Sequence, residues 1–295
     1  MNILVFGATG MLGSAVIRVL SQKVNWNVFG TISSEESKKY FTPEIADNLL
    51  VGCDVLNHDD LVEVLERVHP NIVINCISLS KKLLIESDPL KMIPIYALFP
   101  HQLAKLCDDI GARMVHISTD GVFSGAKGDY NEDDFADAVD LYGTSKYLGE
   151  VHSQHVINIR TSIIGHELNS TNGLLSWFLS QKESCRCFSN VIFSGLPTVI
   201  LAQIVRDILI PRKDLYGIYH IASKPISKCD LLRLIAEIYK KEIQILSDEN
   251  PCINRSLNAE RFRIATGYNP PDWRSLVRTM HSYQYNNFGE KKRNV

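Results

Sequence analysis

The chain has 295 residues, 45% hydrophobic and 22% charged, and 31 basic against 33 acidic side chains leave a net charge of −2. That balance removes the general argument for a nucleic-acid or acidic-membrane binder, and no apolar run reaches the roughly 18 residues of a spanning helix. About 150 residues per domain suggests two lobes or one large domain, and the start, Met1-Asn2 entering an apolar run directly, does not read as a signal peptide.

Ile3 to Phe6 is an apolar run of strand length, and Leu12, Ala15, Val16, Val19 and Leu20 then recur at helical spacing. Asn27 to Ile32 and Asn48 to Val51 read as the second and third strands. Leu61, Val64, Leu65 and Val68 form one helix face, which Pro70 ends before the apolar Asn71–Ile77. A helix is expected over Ile95 to Ile110, a strand over Arg113 to Ser118, a helix over Tyr142 to Ser153 and a strand over Val156 to Arg160. Strands apolar on both faces, alternating with amphipathic helices, specify an α/β doubly wound parallel sheet of Rossmann type. Its ligands belong at the carboxyl ends of the strands.

Beyond residue 165 the rhythm loosens into Ser170–Gly173, Gly195-Leu-Pro197 and Asn269-Pro-Pro271, with helices expected near 173–181, 199–209, 227–240 and 273–283. The expected division is a dinucleotide-binding domain over 1–165 and a smaller mixed substrate lobe over 166–295. Gly289 to Val295 reads as a frayed end. Seven cysteines without a Cys-x-x-Cys pair suit reduced thiols and a cytoplasmic setting. No metal site is expected from Cys185-x-Cys187 or from the scattered histidines 101, 116, 166 and 220.

Gly7-Ala-Thr-Gly10-Met-Leu-Gly13 follows the first strand and opens the first helix. Gly7 permits the turn, Gly10 clears space for a pyrophosphate, and Gly13 lets helix and strand approach. Thr9, Met11 and Leu12 stand where helix-start amides bind phosphate. The second strand ends in Gly30-Thr-Ile-Ser-Ser34, with no carboxylate before Glu35. Hydroxyls at Thr31 and Ser33, with Lys38 or Lys39 near, favour NADPH over NADH, which stays open. Asp54, followed by Val55 after the third strand, is placed to accept from an adenine amino group or to cap a turn.

Tyr142-Gly-Thr-Ser-Lys146 puts a phenol and an ammonium one helical turn apart, opening the helix after the strand that ends Ser118-Thr119-Asp120. Reducing a ketone needs a hydride on carbon and a proton on oxygen. A phenol with a pKa near 10 shuttles protons poorly at neutral pH, and a neighbouring ammonium is expected to lower it. Thr119 can hold the ketone oxygen. Arg160, ending a strand at the cleft edge, reads equally as a substrate diphosphate contact or as a structural ion pair.

These blocks resemble the extended short-chain dehydrogenase/reductases, most closely the dTDP-4-dehydrorhamnose reductase branch. The resemblance covers nearly the whole chain and rests on Gly7–Gly13, Val73–Cys76, Ile117–Gly125, Tyr142–Glu150, Ile159–Thr161, Gly195–Thr198 and Gly217–His220. It implies Thr119, Tyr142 and Lys146 as the catalytic set, Asn75, Cys76 and Ile77 along the nicotinamide ribose, and Asp120 beside the sugar. It implies NADPH as coenzyme, a nucleotide-diphosphate sugar as substrate and no nucleic-acid or membrane partner, and it leaves a homodimer open.

Phe99-Pro-His101, Thr161–Glu167 and Ile192–Thr198 resemble a subgroup associated with nucleotide-linked 2-acetamido-2,6-dideoxy-4-ketohexoses, the precursors of sugars such as UDP-N-acetyl-L-rhamnosamine. Two positions depart from the branch: Gly121 stands where a tyrosine is usual, and Tyr96 where an asparagine is. The competing readings are a nucleotide-sugar 4,6-dehydratase or epimerase on the same fold, and a non-catalytic NADP-binding regulatory subunit. Arg255, Arg261 and Arg263 lie in the second lobe, where the branch binds the nucleotide, and each reads first as a solvated surface charge. Lys81-Lys82 follows the fourth strand as a solvated face or a diphosphate attractor, and Asp129–Asp140 reads as a solvated loop able to close on substrate.

Overall fold

A computed structural model describes residues 1–79, 86–168 and 172–288. Lys81-Lys82, Ser170-Thr171 and Gly289–Val295 lie outside them.

Seven parallel strands form the main sheet: β1 (Asn2–Phe6), β2 (Asn27–Ile32), β3 (Leu49–Val51), β4 (Ile72–Asn75), β5 (Arg113–Ile117), β6 (Val156–Arg160) and β11 (Gly217–His220). Their order is β11-β6-β5-β4-β1-β2-β3. Ile3, Leu4, Val5 and Phe6 are fully buried, because the sheet is covered on both faces. On one face lie α1 (Met11–Leu20) and α8 (Thr198–Ile204), packed along one another; on the other lie α3 (His58–Val68) and α5 (Phe99–Asp109). The short α2 (Pro43–Ala46) precedes β3, and α4 (Pro89–Ile93) runs into α5 through a wide-turned segment, Pro94–Leu98. Prolines at 94 and 100 each remove a helical donor in this stretch.

Strand order reverses between β1 and β4, which puts a crevice at their carboxyl ends. The first six strands fall where hydrophobic periodicity places them, and β11 is an addition to them. α6 (Leu141–Leu148) stops short of the expected Ser153, because its end meets other backbone: a Cβ on Gly149 would lie 1.9 Å from the Tyr96 carbonyl oxygen.

The second lobe holds α7 (Leu174–Ser180), α9 (Lys228–Tyr239), α10 (Glu260–Thr266) and α11 (Trp273–Phe288). Three small sheets accompany them. β7 (Ile163–Ile164) pairs with β10 (Leu196–Pro197), β9 (Val191–Phe193) with β12 (Ile226–Ser227) and β14 (Ile253–Asn254), and β8 (Ser184–Phe188) with β13 (Gln244–Asp248). The expected division at residue 165 needs correction in one respect: β11 pairs with β6 and α8 packs on α1, so the chain returns to the first lobe over about 198–221.

A second correction concerns the thiols. Alternation along β8 turns Cys185 and Cys187 to one buried face, where Cys187 meets Cys229 of α9 as a disulfide, Cα atoms 5.1 Å apart across a sequence separation of 42. Cys53, Cys76, Cys107, Cys185 and Cys252 are free. Spacing along the chain carried no sign of this pair, which only the packing of α9 on β8 creates. Among the described residues, no helix is long and apolar enough to cross a membrane, and no three His, Cys, Asp or Glu side chains gather as a metal site.

Candidate active site

The glycine turn joins β1 to α1. Gly7 takes φ +80°, and a Cβ there would lie 3.0 Å from the Cys76 carbonyl oxygen. A Cβ on Gly13 would lie 2.0 Å from the Gly7 oxygen, so the helix can seat this close only with glycine. Gly10 differs: its Cβ would meet the Gly7 oxygen at 3.3 Å and the Cys76 oxygen at 3.9 Å, without the severe overlap found at Gly13. Gly10 caps α1 with no side-chain hydrogen bond, so the amides of the first turn, through Met11, Leu12 and Gly13, have no capping side chain. A helix start with these amides exposed to a cleft suits a phosphate. The turn therefore fits a dinucleotide.

Thr31 does not lie open at the rim as expected. It is buried, and its hydroxyl accepts from the Gly7 amide at 3.2 Å, bracing the turn from β2. Ser33 is exposed and lies at the same strand end. Lys38 pairs with Glu35 at 2.8 Å. Asp54 accepts from the Leu56 amide at 3.0 Å and its own amide donates to Asp60 at 2.8 Å, which is the turn-capping alternative; Val55 follows, half-buried.

At the end of β4, Asn75 is buried. Its amide nitrogen lies 3.1 Å from His116 Nδ1, and its oxygen accepts from the Ile77 amide at 3.1 Å. Asn75 therefore shapes the segment Cys76–Ile77 from beneath. Burial pushes the Cys76 thiol up to about 12 and holds His116 well below the usual histidine range, so both stay neutral.

The threonine, tyrosine and lysine do converge. Thr119 follows β5; its hydroxyl accepts from the Gly121 amide at 3.0 Å and donates to Asp120 at 3.2 Å, and it also hydrogen-bonds Tyr142. Asp140 caps α6 through the Gly143 amide at 2.8 Å and so aims Tyr142 at the cleft. A Cβ on Gly143 would lie 2.2 Å from the Gly121 oxygen, a close approach that no spacing in the sequence announced. Lys146 is buried, and its ammonium donates to the Ile117 carbonyl at 2.6 Å.

The electrostatics differ from expectation. Burial first, then Tyr96, raises the Tyr142 phenol above its ordinary range, against a lowering from the Thr119 hydrogen bond. Burial brings Lys146 down to about 8 although Glu150 and Cys76 favour its charge. Desolvation is the largest influence, so the phenol stays protonated at neutral pH. Burial raises Asp120 to about 6, opposed by Arg255, Thr119, Ser162 and Lys228.

Arg160 takes the ion-pair alternative. It is 2% exposed, bonded twice to Glu150 at 2.8 and 2.7 Å, and its guanidinium lies over the Phe123 ring at 5.2 Å. Glu150 also accepts from Ser118 at 2.7 Å, which braces the strand end bearing Thr119. Breaking such a buried pair costs about 3–5 kcal/mol. Arg160→Ala is therefore expected to lower the urea midpoint strongly; an unchanged midpoint with a raised substrate KM would restore the substrate role.

The loop 129–140 is solvated, with Asp133, Phe135 and Val139 exposed, and several of its acids are pinned. Glu132 accepts from the His220 amide at 2.9 Å, Asp134 holds Lys127 at 2.6 Å, and Asp137 accepts from Ser124 at 2.6 Å. Arg261 pairs with Asp133 at 2.6 Å and Arg263 with Glu260. Arg255 lies 3.7 Å from Asp140 and, with Lys228, faces Asp120. Lys228 was not anticipated. It sits more than a hundred residues from Asp120, and only the start of α9 brings it there.

The chain matches the family described as RmlD substrate binding domain over residues 1–284. It is 24% identical over 307 residues to a dTDP-4-dehydrorhamnose reductase of Aggregatibacter actinomycetemcomitans, covering 96% of this chain and 99% of that protein. It is 34% identical over 155 residues to a probable low-salt glycan biosynthesis reductase of Haloferax volcanii; that match spans 52% of this chain and only about half, 49%, of the relative. The fold superposes on a dTDP-4-dehydrorhamnose reductase of Bacillus anthracis solved with NADP, with a TM-score of 0.76, 20% identity and coverage of 96% and 99%.

Proposed function

We propose, from the premise that this chain belongs to the RmlD substrate binding domain family, that it is an NADPH-dependent reductase of a nucleotide-linked 4-keto-6-deoxyhexose. The observation that carries the reading is the convergence of Thr119, Tyr142 and Lys146 at the strand ends beside the Gly7–Gly13 turn. The favoured substrate is a UDP-linked 2-acetamido-2,6-dideoxy-4-hexulose, with dTDP-4-dehydrorhamnose as the alternative. Such a product would feed polysaccharide precursor synthesis in the cytoplasm.

The coenzyme, when bound, supplies a hydride to the carbonyl carbon. The first-turn amides of α1 would hold its phosphates, and Ser33, exposed at the end of β2, would meet an adenine-ribose 2′-phosphate. Tyr142 donates its proton to the carbonyl oxygen, and ketone reduction consumes the protonated phenol that burial favours. Thr119 can turn its single hydroxyl proton from Asp120 toward that oxygen. Lys146 contributes a buried ammonium next to the developing charge. Asp120, ionised above about pH 6, accepts from a sugar hydroxyl.

The test is incubation with NADPH and each ketosugar, following loss of coenzyme absorbance and identifying the product. Tightly retained dinucleotide with no net NADPH oxidation would replace the reading with a dehydratase or epimerase. Asp120-Gly121 argues against the dehydratase, whose elimination needs a second acid beside the first. The converging set argues against a non-catalytic regulatory subunit.

Asp120 also sets a pH dependence. Its pKa is raised, so the carboxylate is lost as pH falls through about 6, well above an ordinary aspartate. kcat/KM is expected to fall below pH 6 in the native enzyme and to be low and flat in Asp120→Asn. An acid limb that survives in that variant would remove Asp120 from substrate binding.

A further inference from the structure

Tyr96 carries a hydroxyl into the interior at 2% exposure, from the wide-turned Pro94–Leu98 segment beneath the site. We propose that Tyr96 is a positioning residue: its ring seats the Lys146 ammonium and braces Tyr142, and its hydroxyl ties the segment after β4 to the same point. The proposal rests on the reductase reading and adds to it a residue that acts through its neighbours.

Three independent contacts meet in this side chain. The Lys146 ammonium lies 5.4 Å over the ring centroid. The Tyr142 ring stands 5.4 Å away at 84°. The hydroxyl accepts from the Leu79 amide at 2.8 Å and lies 3.2 Å from the Ser78 hydroxyl. The end of α6 also packs directly on this segment: a Cβ on Gly149 would lie 1.9 Å from the Tyr96 carbonyl oxygen.

The arrangement answers a physical conflict. A buried ammonium needs compensation, and burial already brings Lys146 down to about 8. The groups that face it are Glu150 at the end of its own helix, Cys76 after β4, and neutral His116 on β5. Glu150 is already shared between Arg160 and Ser118. A second carboxylate would add negative charge beside Tyr142, which Asp120 and Asp140 already face, and would weaken its proton donation further. An aromatic face stabilises the cation without adding charge.

The test compares Tyr96→Leu with Tyr96→Phe. Two readouts apply: the pH profile of kcat, and a 13C NMR titration of labelled lysine with the Lys146 signal assigned by its loss in Lys146→Met. Tyr96→Leu is expected to move both the alkaline limb and the Lys146 titration downward by about one pH unit, the size of a desolvated cation–π contact. Tyr96→Phe keeps the ring, so both stay in place. Its lost hydroxyl is expected to raise the coenzyme KM several-fold by freeing the Leu79 amide.

An even fall in kcat across pH in Tyr96→Leu, with Lys146 titrating as before, would reduce Tyr96 to a space-filling residue and overturn the proposal. If Tyr96→Leu does not fold, an unchanged coenzyme KM in Tyr96→Phe overturns it instead. The NMR titration needs no turnover. A native protein without reductase activity therefore refutes the reductase reading while the Lys146 titration still decides this one.

Discussion

Replacing Tyr142 by Phe is expected to lower kcat by about 10²-fold or more while leaving dinucleotide affinity nearly unchanged. A positioned proton donor contributes about 10²–10⁴-fold, and in the proposed mechanism that donor is the Tyr142 phenol. The loss should appear in kcat and kcat/KM alike, the signature of an interaction made in the transition state. The ring stays, so its perpendicular contact with Tyr96 persists and the fold should be unaffected. Single-turnover absorbance measurements with NADPH and the ketosugar check it. Normal turnover in Tyr142→Phe would end the assignment of the proton donor.

Gly10→Val is expected to abolish dinucleotide binding while leaving the fold intact. The backbone at Gly10 is extended, φ −66° and ψ 165°, which valine adopts without strain. Its Cβ meets the Gly7 oxygen at 3.3 Å and the Cys76 oxygen at 3.9 Å, and the methyl groups would add bulk beside the first turn of α1. A phosphate at those amides would collide with them. The contrast is Gly13, where an added Cβ 2.0 Å from the Gly7 oxygen would force β1 and α1 apart and damage folding itself. Calorimetric titration with NADPH, beside a thermal melt, separates the two effects. Unimpaired binding by a folded Gly10→Val protein would refute the phosphate role of this turn.

The two departures from the branch pattern acquire a structural meaning. A Cβ on Gly121 would sit 3.2 Å from both the Tyr142 ring and the Thr119 hydroxyl, so any side chain there presses directly on the site. Tyr96, at the other departing position, packs against the same Tyr142 ring from the helix side.

Local pattern was enough for six strands of the sheet: doubly buried strands need largely apolar runs, and Ile3–Phe6 and Ile72–Ile74 announce themselves. It was also enough for the glycine turn and for Tyr142 and Lys146, since a helix fixes the geometry of residues four apart whatever surrounds it. Tertiary packing alone decided what was desolvated and what met across the chain. Burial, a property of neighbours remote in sequence, reversed the expected acidity of Tyr142 and drew Arg160 into a pair with Glu150. Remote neighbours also returned β11 to the first sheet, joined Cys187 to Cys229 and brought Lys228 to face Asp120. Charge and solvation depend on distances in space, and those are set only when the helices close over the sheet.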